Sequence, residues 1–248
     1  MIEEPVRTQK RRRGIYLLPN LFTTAALFAG FYAITAALNQ RFESAAIAIF
    51  VAMILDGMDG RVARLTNTQS AFGAEYDSMA DMISFGAAPA LVIYIWSLAS
   101  LGKPGWVAAF VHCAGAALRL ARFNTQIGTA DKRFFQGLPS PSAAAILAGF
   151  IWLCVDQGWS GPGVASVALG LAIATGLLMV SNFRYYSFKD VDLRGRMPFL
   201  KAIIIMLAFA VGFANPPLTL FLFFTGYAIS GPAVTLIVLR RKRLERKI

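Results

Sequence analysis

Several residue types that build familiar sites are scarce in this chain. It has a single histidine, His112, and two cysteines, Cys113 and Cys154, so a cluster of nitrogen or sulfur metal ligands has little to draw on. Both cysteines fall inside apolar stretches, and a pair so placed is no disulfide framework. Charge is also thin, at 15% of residues against about 25% in soluble domains. No polar stretch long enough for a soluble domain is left once the apolar runs are removed, so one membrane domain is expected over 1–248. Nor does a small-residue cleavage site follow the first apolar run, which is read as a retained helix rather than a signal peptide.

What the sequence does have is apolar length: 57% of residues are apolar and the mean hydropathy is +0.59. Runs near 20 residues with few charges read as membrane-spanning helices. About eight are expected, at 17–38, 43–62, 78–100, 104–126, 139–156, 162–181, 199–214 and 216–239. The fold class is therefore an all-α integral membrane protein. Asn215-Pro216-Pro217 reads as a tight turn between the last two helices, and the polar, basic stretch 182–198 as an interfacial connector.

The net charge of +11 is compatible in size with nucleic-acid binding, but its distribution argues against it. The bases sit in short clusters beside the apolar runs. If the spans alternate in direction, every Lys and Arg of the 24 except Arg41 and Lys103 falls on one side. Such bias marks the cytoplasmic side, and eight spans put both termini there, in a bacterial inner membrane. The tails 1–16 and 240–248 are basic segments suited to anionic lipid, and no nucleic-acid partner is expected.

Against this apolar background four aspartates stand out. The second span ends Leu55-Asp56-Gly57-Met58-Asp59-Gly60-Arg61-Val62-Ala63-Arg64, and the third opens Gly73-Ala74-Glu75-Tyr76-Asp77-Ser78-Met79-Ala80-Asp81. Spacings of three and four residues put each pair on one helix face. Consecutive antiparallel spans then bring both pairs to the same depth, where four carboxylates converge. Mutually repelling carboxylates call for cations, and oxygen-only ligands suit Mg²⁺ or Mn²⁺ better than zinc. Gly60, Ala63 and Gly73 leave room for a ligand near the backbone, and Arg64 is placed to meet a phosphate. Capping of helix ends and pairing with Arg61 and Arg64 would explain one or two acids, but not four so spaced.

The pattern Asp56-x-x-Asp59-Gly60-x-x-Ala63-Arg64, eight residues, then Gly73-x-x-x-Asp77-x-x-x-Asp81 resembles the signature of the CDP-alcohol phosphotransferases at every defined position. That resemblance implies a six-helix core, here 17–181, with two further helices in 199–239, and usually a homodimer. It implies two metal ions held by Asp56, Asp59, Asp77 and Asp81, with Asp81 also placed to take the proton of the attacking hydroxyl. The reaction implied is transfer of a phosphatidyl-type group from a CDP-linked lipid to an alcohol, releasing CMP. Pro19-Asn20-Leu21-Phe22-Thr23 is similar to the family's first-helix segment that encloses the cytidine end, which adds Asn20 and Thr23 to the CDP-lipid contacts.

Further polar islands are Ser84-Phe85-Gly86, Arg119-Leu120-Ala121-Arg122-Phe123-Asn124, Phe135-Gln136-Gly137-Leu138-Pro139-Ser140-Pro141 and Arg184-Tyr185-x-Ser187-Phe188-Lys189. Together they resemble the membrane-embedded phosphatidylserine synthases, implying CDP-diacylglycerol and L-serine as substrates. Ser84, Arg119, Arg122, Arg184 and Lys189 are then candidate serine or phosphate contacts, since an arginine can clamp a carboxylate bidentately. Arg122, Arg184 and Lys189 read equally well as membrane anchors. Glycerol 3-phosphate, an inositol phosphate or choline are the alternative acceptors, and an ion-coupled transporter is the remote alternative. His112, in mid-span, is read as packing or polar glue; a lone histidine also excludes phosphatidyl transfer through paired His-Lys-Asp motifs.

Overall fold

The computed structural model describes residues 17–66, 68, 70–125, 134–186, 212 and 214–245. The elements are α1 (Leu17–Leu38), α2 (Phe42–Leu65), α3 (Ala71–Asp81), α4 (Ala88–Trp96), α5 (Lys103–Thr125), β1 (Phe134–Gln136), α6 (Ser140–Asp156), α7 (Ala165–Val180), β2 (Arg184–Tyr186) and α8 (Pro216–Glu245). A π-helical stretch, Met82–Ala87, joins α3 to α4, making one long helix from Ala71 to Trp96.

Four helical segments are long and apolar enough to cross a membrane: Pro19–Leu38, Ala71–Trp96, Pro162–Val180 and Pro216–Leu236. Helix α6 is apolar but shorter, and α2 and α5 carry charges in their last turns. The chain is an integral membrane protein. The expected spans 17–38, 43–62, 104–126, 139–156 and 162–181 each match a helical segment to within a few residues. Span 199–214 lies almost wholly outside the described residues. Two boundaries move: the helix expected at 78–100 begins at Ala71, where Ser70 Oγ accepts from the Gly73 amide at 3.0 Å, and α8 runs on to Glu245.

Small residues set how closely the helices approach. Ala26, Ala29, Ala33, Ala36 and Ala37 of α1 are buried, as are Ala45, Ala46, Ala48 and Ala52 of α2. Lipid offers no hydrophobic drive between helices, so association rests on close van der Waals contact, which alanine and glycine permit. The π-helical stretch is packed the same way. A Cβ at Gly30 of α1 would lie 2.6 Å from Ser84 Oγ, and one at Gly86 3.1 Å from the Ala116 Cβ of α5. Phe85, between them, is wholly buried, and its carbonyl oxygen lies 3.2 Å from His112 Nε2. A carbonyl only accepts, so Nε2 carries the proton, while Nδ1 lies 2.8 Å from Thr175 Oγ1 of α7. His112 thus joins three helices, in keeping with its reading as polar glue.

Among the described residues, the departure from an all-helical chain is an antiparallel pairing of β1 with β2, Phe134 opposite Tyr186 and Gln136 opposite Arg184. The start of the stretch read as a connector is therefore a strand. Its Tyr185 is fully buried, donates to the Ala228 carbonyl at 3.0 Å, and lies on Gly231, where a Cβ would overlap the ring. Helix α8 is seated at both ends of its apolar length. Nearer its start, the Phe221 backbone packs against Gly149 of α6, and at Tyr185 it meets the strand pair.

Candidate active site

The charged end of the bundle is assembled by α1, α2, α3 and α5. Asp56 and Asp59 lie on the final turns of α2, and Asp77 on the facing stretch of α3. One carboxylate oxygen from each of these three lies within 4.8 Å of the others. Asp59 is only 6% exposed, and its Oδ2 accepts from the Thr23 hydroxyl of α1 at 2.7 Å. Asp81, one turn past Asp77, interacts with Asp56 and Asp77, and Arg119 of α5 interacts with both Asp56 and Asp81.

Helix α3 is fastened on both flanks of Asp77, which fixes where that carboxylate points. Tyr76 shares a hydrogen bond of 2.9 Å with Thr24 of α1. Ser78 exchanges bonds with the Asn124 side chain of α5 at 3.1 and 3.2 Å. Neither Tyr76 nor Ser78 drew notice in the sequence beyond flanking an aspartate; the signal was their adjacency to it. Among the described residues, Asp77 Oδ1 itself is buried with no hydrogen-bond partner. A buried oxygen left so is costly unless something absent from the protein atoms completes it. Three carboxylates within 4.8 Å, one with an orphaned oxygen, fit a hard divalent cation with oxygen ligands.

Beside the carboxylates opens a cavity of about 240 Å³. Its walls are Pro19, Asn20 and Thr23 of α1, Asp59, Gly60, Ala63 and Arg64 of α2, and Gly73, Ala74 and Asp77 of α3. Every residue read as a CDP-lipid contact from the sequence is thus brought to one cavity. Thr68 and Ser70, also in its wall, belong to the short α2–α3 loop and carried no signal of their own. The reason for glycine at 73 is visible: a Cβ there would lie 3.1 Å from Ser70 Oγ and 3.5 Å from Asn20 Oδ1, narrowing the opening.

The five candidate serine or phosphate contacts separate. Arg119 stands beside Asp56 and Asp81 and donates to Ser140 Oγ of α6 at 2.7 Å. Arg122 donates to the Ser181 carbonyl at 3.2 Å and to Asn182 Oδ1 at 3.4 Å, bracing the end of α7. Arg184 is exposed on β2. The expectation for Ser84 needs correction: its side chain is fully buried, and its hydroxyl donates to the Ala26 carbonyl at 3.1 Å across the α1 contact. That hydroxyl is committed to helix packing. Lys189 lies outside the described residues.

Comparison with known proteins agrees with this geometry. Residues 16–229 match the family model for CDP-alcohol phosphatidyltransferases. A Helicobacter pylori (strain J99) protein named CDP-diacylglycerol–serine O-phosphatidyltransferase is 38% identical over 218 residues, covering 88% of this chain and 90% of that protein. Proteins of the same name from Mycobacterium tuberculosis (strain H37Rv) and Methanocaldococcus jannaschii are also similar. The first is 42% identical over 158 residues, 60% of this chain and 54% of that one. The second is 39% identical over 144 residues, 57% of this chain and 63% of that one. The aspartate pattern, the cavity beside it and a match over most of the chain agree: this protein belongs to the CDP-alcohol phosphatidyltransferase family.

Proposed function

We propose that the chain transfers the phosphatidyl group of CDP-diacylglycerol to the hydroxyl of L-serine, giving phosphatidylserine and CMP. The observation that carries this reading is the orphaned Asp77 oxygen among three close carboxylates, beside a cavity lined by small residues and Arg64. The serine assignment draws on the names of the relatives, foremost the one matched over 90% of its length.

Asp56, Asp59 and Asp77, with Asp81, would hold Mg²⁺ or Mn²⁺, two ions in our reading. When bound, the ions supply charge neutralisation at the pyrophosphate and at the reacting phosphorus. The chain's own residues do the rest. Thr23 holds Asp59 by its hydrogen bond, and Tyr76 and Ser78 hold the helix that carries Asp77. Gly60, Ala63 and Gly73 admit the nucleotide end of the lipid, and Arg64 meets a phosphate. Asp81 accepts the serine hydroxyl proton as the new O–P bond forms and the bond to CMP breaks. No lipid is attached to the enzyme at any stage.

The active site and both termini face the cytoplasm, on the inner membrane, and the protein works as a homodimer. Helix α8 is one of two helices added to a six-helix core ending near 181. A direct assay tests the reaction: purified protein with CDP-diacylglycerol, Mg²⁺ or Mn²⁺, and a panel of alcohols, followed by CMP release. Serine should be used far better than glycerol 3-phosphate, inositol phosphate or choline. A preference for glycerol 3-phosphate would move the chain to another branch of the family. Exchange of labelled CMP into CDP-diacylglycerol without serine would instead point to a covalent intermediate.

A further inference from the structure

The island Ser84-Phe85-Gly86 takes no part in the chemistry above, yet it begins three residues past Asp81 and is followed by Pro89. Its backbone carbonyls account for its shape. In an α-helix the Phe85 carbonyl accepts from the amide four residues on, which here is Pro89 and has no N–H. The proline ring also crowds that carbonyl. The helix opens instead into the π-helical stretch Met82–Ala87, where the Ala88 amide reaches back five residues to the Ile83 carbonyl. The bond that Pro89 cannot give comes from another helix: His112 Nε2 of α5 donates to the Phe85 carbonyl at 3.2 Å. His112 Nδ1 faces the Thr175 hydroxyl of α7 at 2.8 Å, and both His112 and Phe85 are fully buried.

This opening bears on the aspartates. A turn closed by i→i+5 bonds takes in one residue more than an α turn. It therefore rotates the helix before it against the helix after it by about 100°, one residue's share at 3.6 per turn. The helix after it, α4, is locked in the core, where Ala88, Val92 and Ile93 have no exposed surface. The helix before it is α3, whose last residue is Asp81. The π-helical stretch thus sets which way Asp81 faces.

Two ties join this long helix to α5, and Asp81 lies between them. Ser78, three residues before it, bonds to Asn124, and Phe85, four residues after it, bonds to His112. Arg119, the α5 residue that interacts with Asp81, lies between the same two ties. On the opposite flank Ser84 is fastened to the Ala26 carbonyl of α1.

Resting on the role given to Asp81 above, we infer that His112 is a positioning residue for the transfer: by supplying the hydrogen bond that Pro89 lacks, it holds the π-helical turn that aims the Asp81 carboxylate at the acceptor hydroxyl. It touches no substrate and acts through the backbone of the helix that carries Asp81.

The test measures kcat, the apparent KM for serine and for CDP-diacylglycerol, and thermal stability in His112→Leu, His112→Gln and Thr175→Val. Leucine fills the space without a donor, whereas glutamine keeps an N–H near the place of Nε2. His112→Leu should lower kcat by about 10²-fold, the loss that a misplacement of about 1 Å produces, with the CDP-diacylglycerol KM within about twofold. His112→Gln should bring kcat back to within about fivefold of the unaltered enzyme. Thr175→Val, which removes the hydroxyl behind Nδ1, should lower kcat by about fivefold at unchanged KM, and decides the matter where His112→Leu does not fold. In an Asp81→Asn background His112→Leu should cost less than about threefold further, because a residue that acts through Asp81 then has nothing to aim. A less stable His112→Leu enzyme with normal kcat would overturn the inference and leave His112 as glue between helices. Equal losses in His112→Leu and His112→Gln, or the full further loss in the Asp81→Asn background, would overturn it too. Failure of the readings beneath shows without any His112 variant. Near-normal kcat in Asp81→Asn alone would sink the base assignment, and CMP release with another alcohol but not serine would sink the serine reading, while the ratios between variants, taken with that alcohol, still decide on His112.

Discussion

The two ends of the helical bundle treat their polar groups in opposite ways. At the Arg41 end, turns are short and their polar atoms pair with nearby backbone, within a turn or across to the next one. Asn39 Nδ2 donates to the Thr35 carbonyl at 2.8 Å, and Ser97, buried between α4 and α5, donates to the Gly161 carbonyl at 2.6 Å. At the Asp56 end, the groups are charged, gathered and incompletely satisfied, with Asp77 Oδ1 buried and unpartnered among the described residues. One end closes the fold; the other keeps coordination in reserve for something that binds. In an apolar surround an unmet polar atom costs free energy. The lone Thr225 hydroxyl of α8 is also unmet among the described residues, but only at the Asp56 end does such an atom stand among other carboxylates, where a cation would complete it.

The sharpest way to break that contrast is to neutralise the reserve. Asp56→Asn, Asp59→Asn and Asp77→Asn should each lower CMP release by about 10²-fold or more while the protein still inserts and folds, since several kcal/mol of charge stabilisation depends on them. Excess chelator should abolish turnover by the unaltered enzyme, and Mg²⁺ or Mn²⁺ should restore it. Full activity in chelator would refute the metal-assisted mechanism. Asp81→Asn separates base from ligand: kcat should fall by about 10²–10⁴ while CDP-diacylglycerol still binds in the presence of metal, measured by equilibrium binding.

Substitutions at the closed end should do the reverse. Ser97→Ala removes the buried bond to the Gly161 carbonyl, which keeps the Val164 amide at 3.2 Å, and should lower stability by about 1 kcal/mol in detergent unfolding, with both KM values unchanged. A catalytic defect at constant stability in that variant would erase the division between the ends. The smallest effect expected is positional. In a background without Cys113 and Cys154, cysteines at Arg41 and Lys103 should react with an impermeant thiol reagent in intact cells, and one at Arg61 should not. Labelling at Arg61 would turn the proposed orientation around.

Much of the site was legible in the sequence because helical period is a local property. Spacings of three and four residues place Asp56 with Asp59, and Asp77 with Asp81, whatever the helices pack against. The short loop between α2 and α3 then makes their meeting almost obligatory. Gly60, Ala63, Arg64 and Gly73 shared that advantage, while Asn20 and Thr23 were legible only through the resemblance of the first helix to the family's. The candidate serine contacts did not. Arg119, Arg122 and Arg184 look alike in sequence, each a base near the end of an apolar run, and Ser84 looks like one more polar residue beside the motif.

Only the tertiary structure separated them, because what distinguishes them is which distant segment each one faces. Arg119 meets Ser140 and stands beside Tyr227, 21 and 108 positions along the chain; Ser84 meets Ala26, 58 positions back. Composition and period alone determined that this is a helical membrane protein with four aspartates gathered at one helix end. Which arginine stands with those aspartates, and that Tyr227 of the last helix lies near that arginine, depended on long-range packing, for which local spacing holds no information.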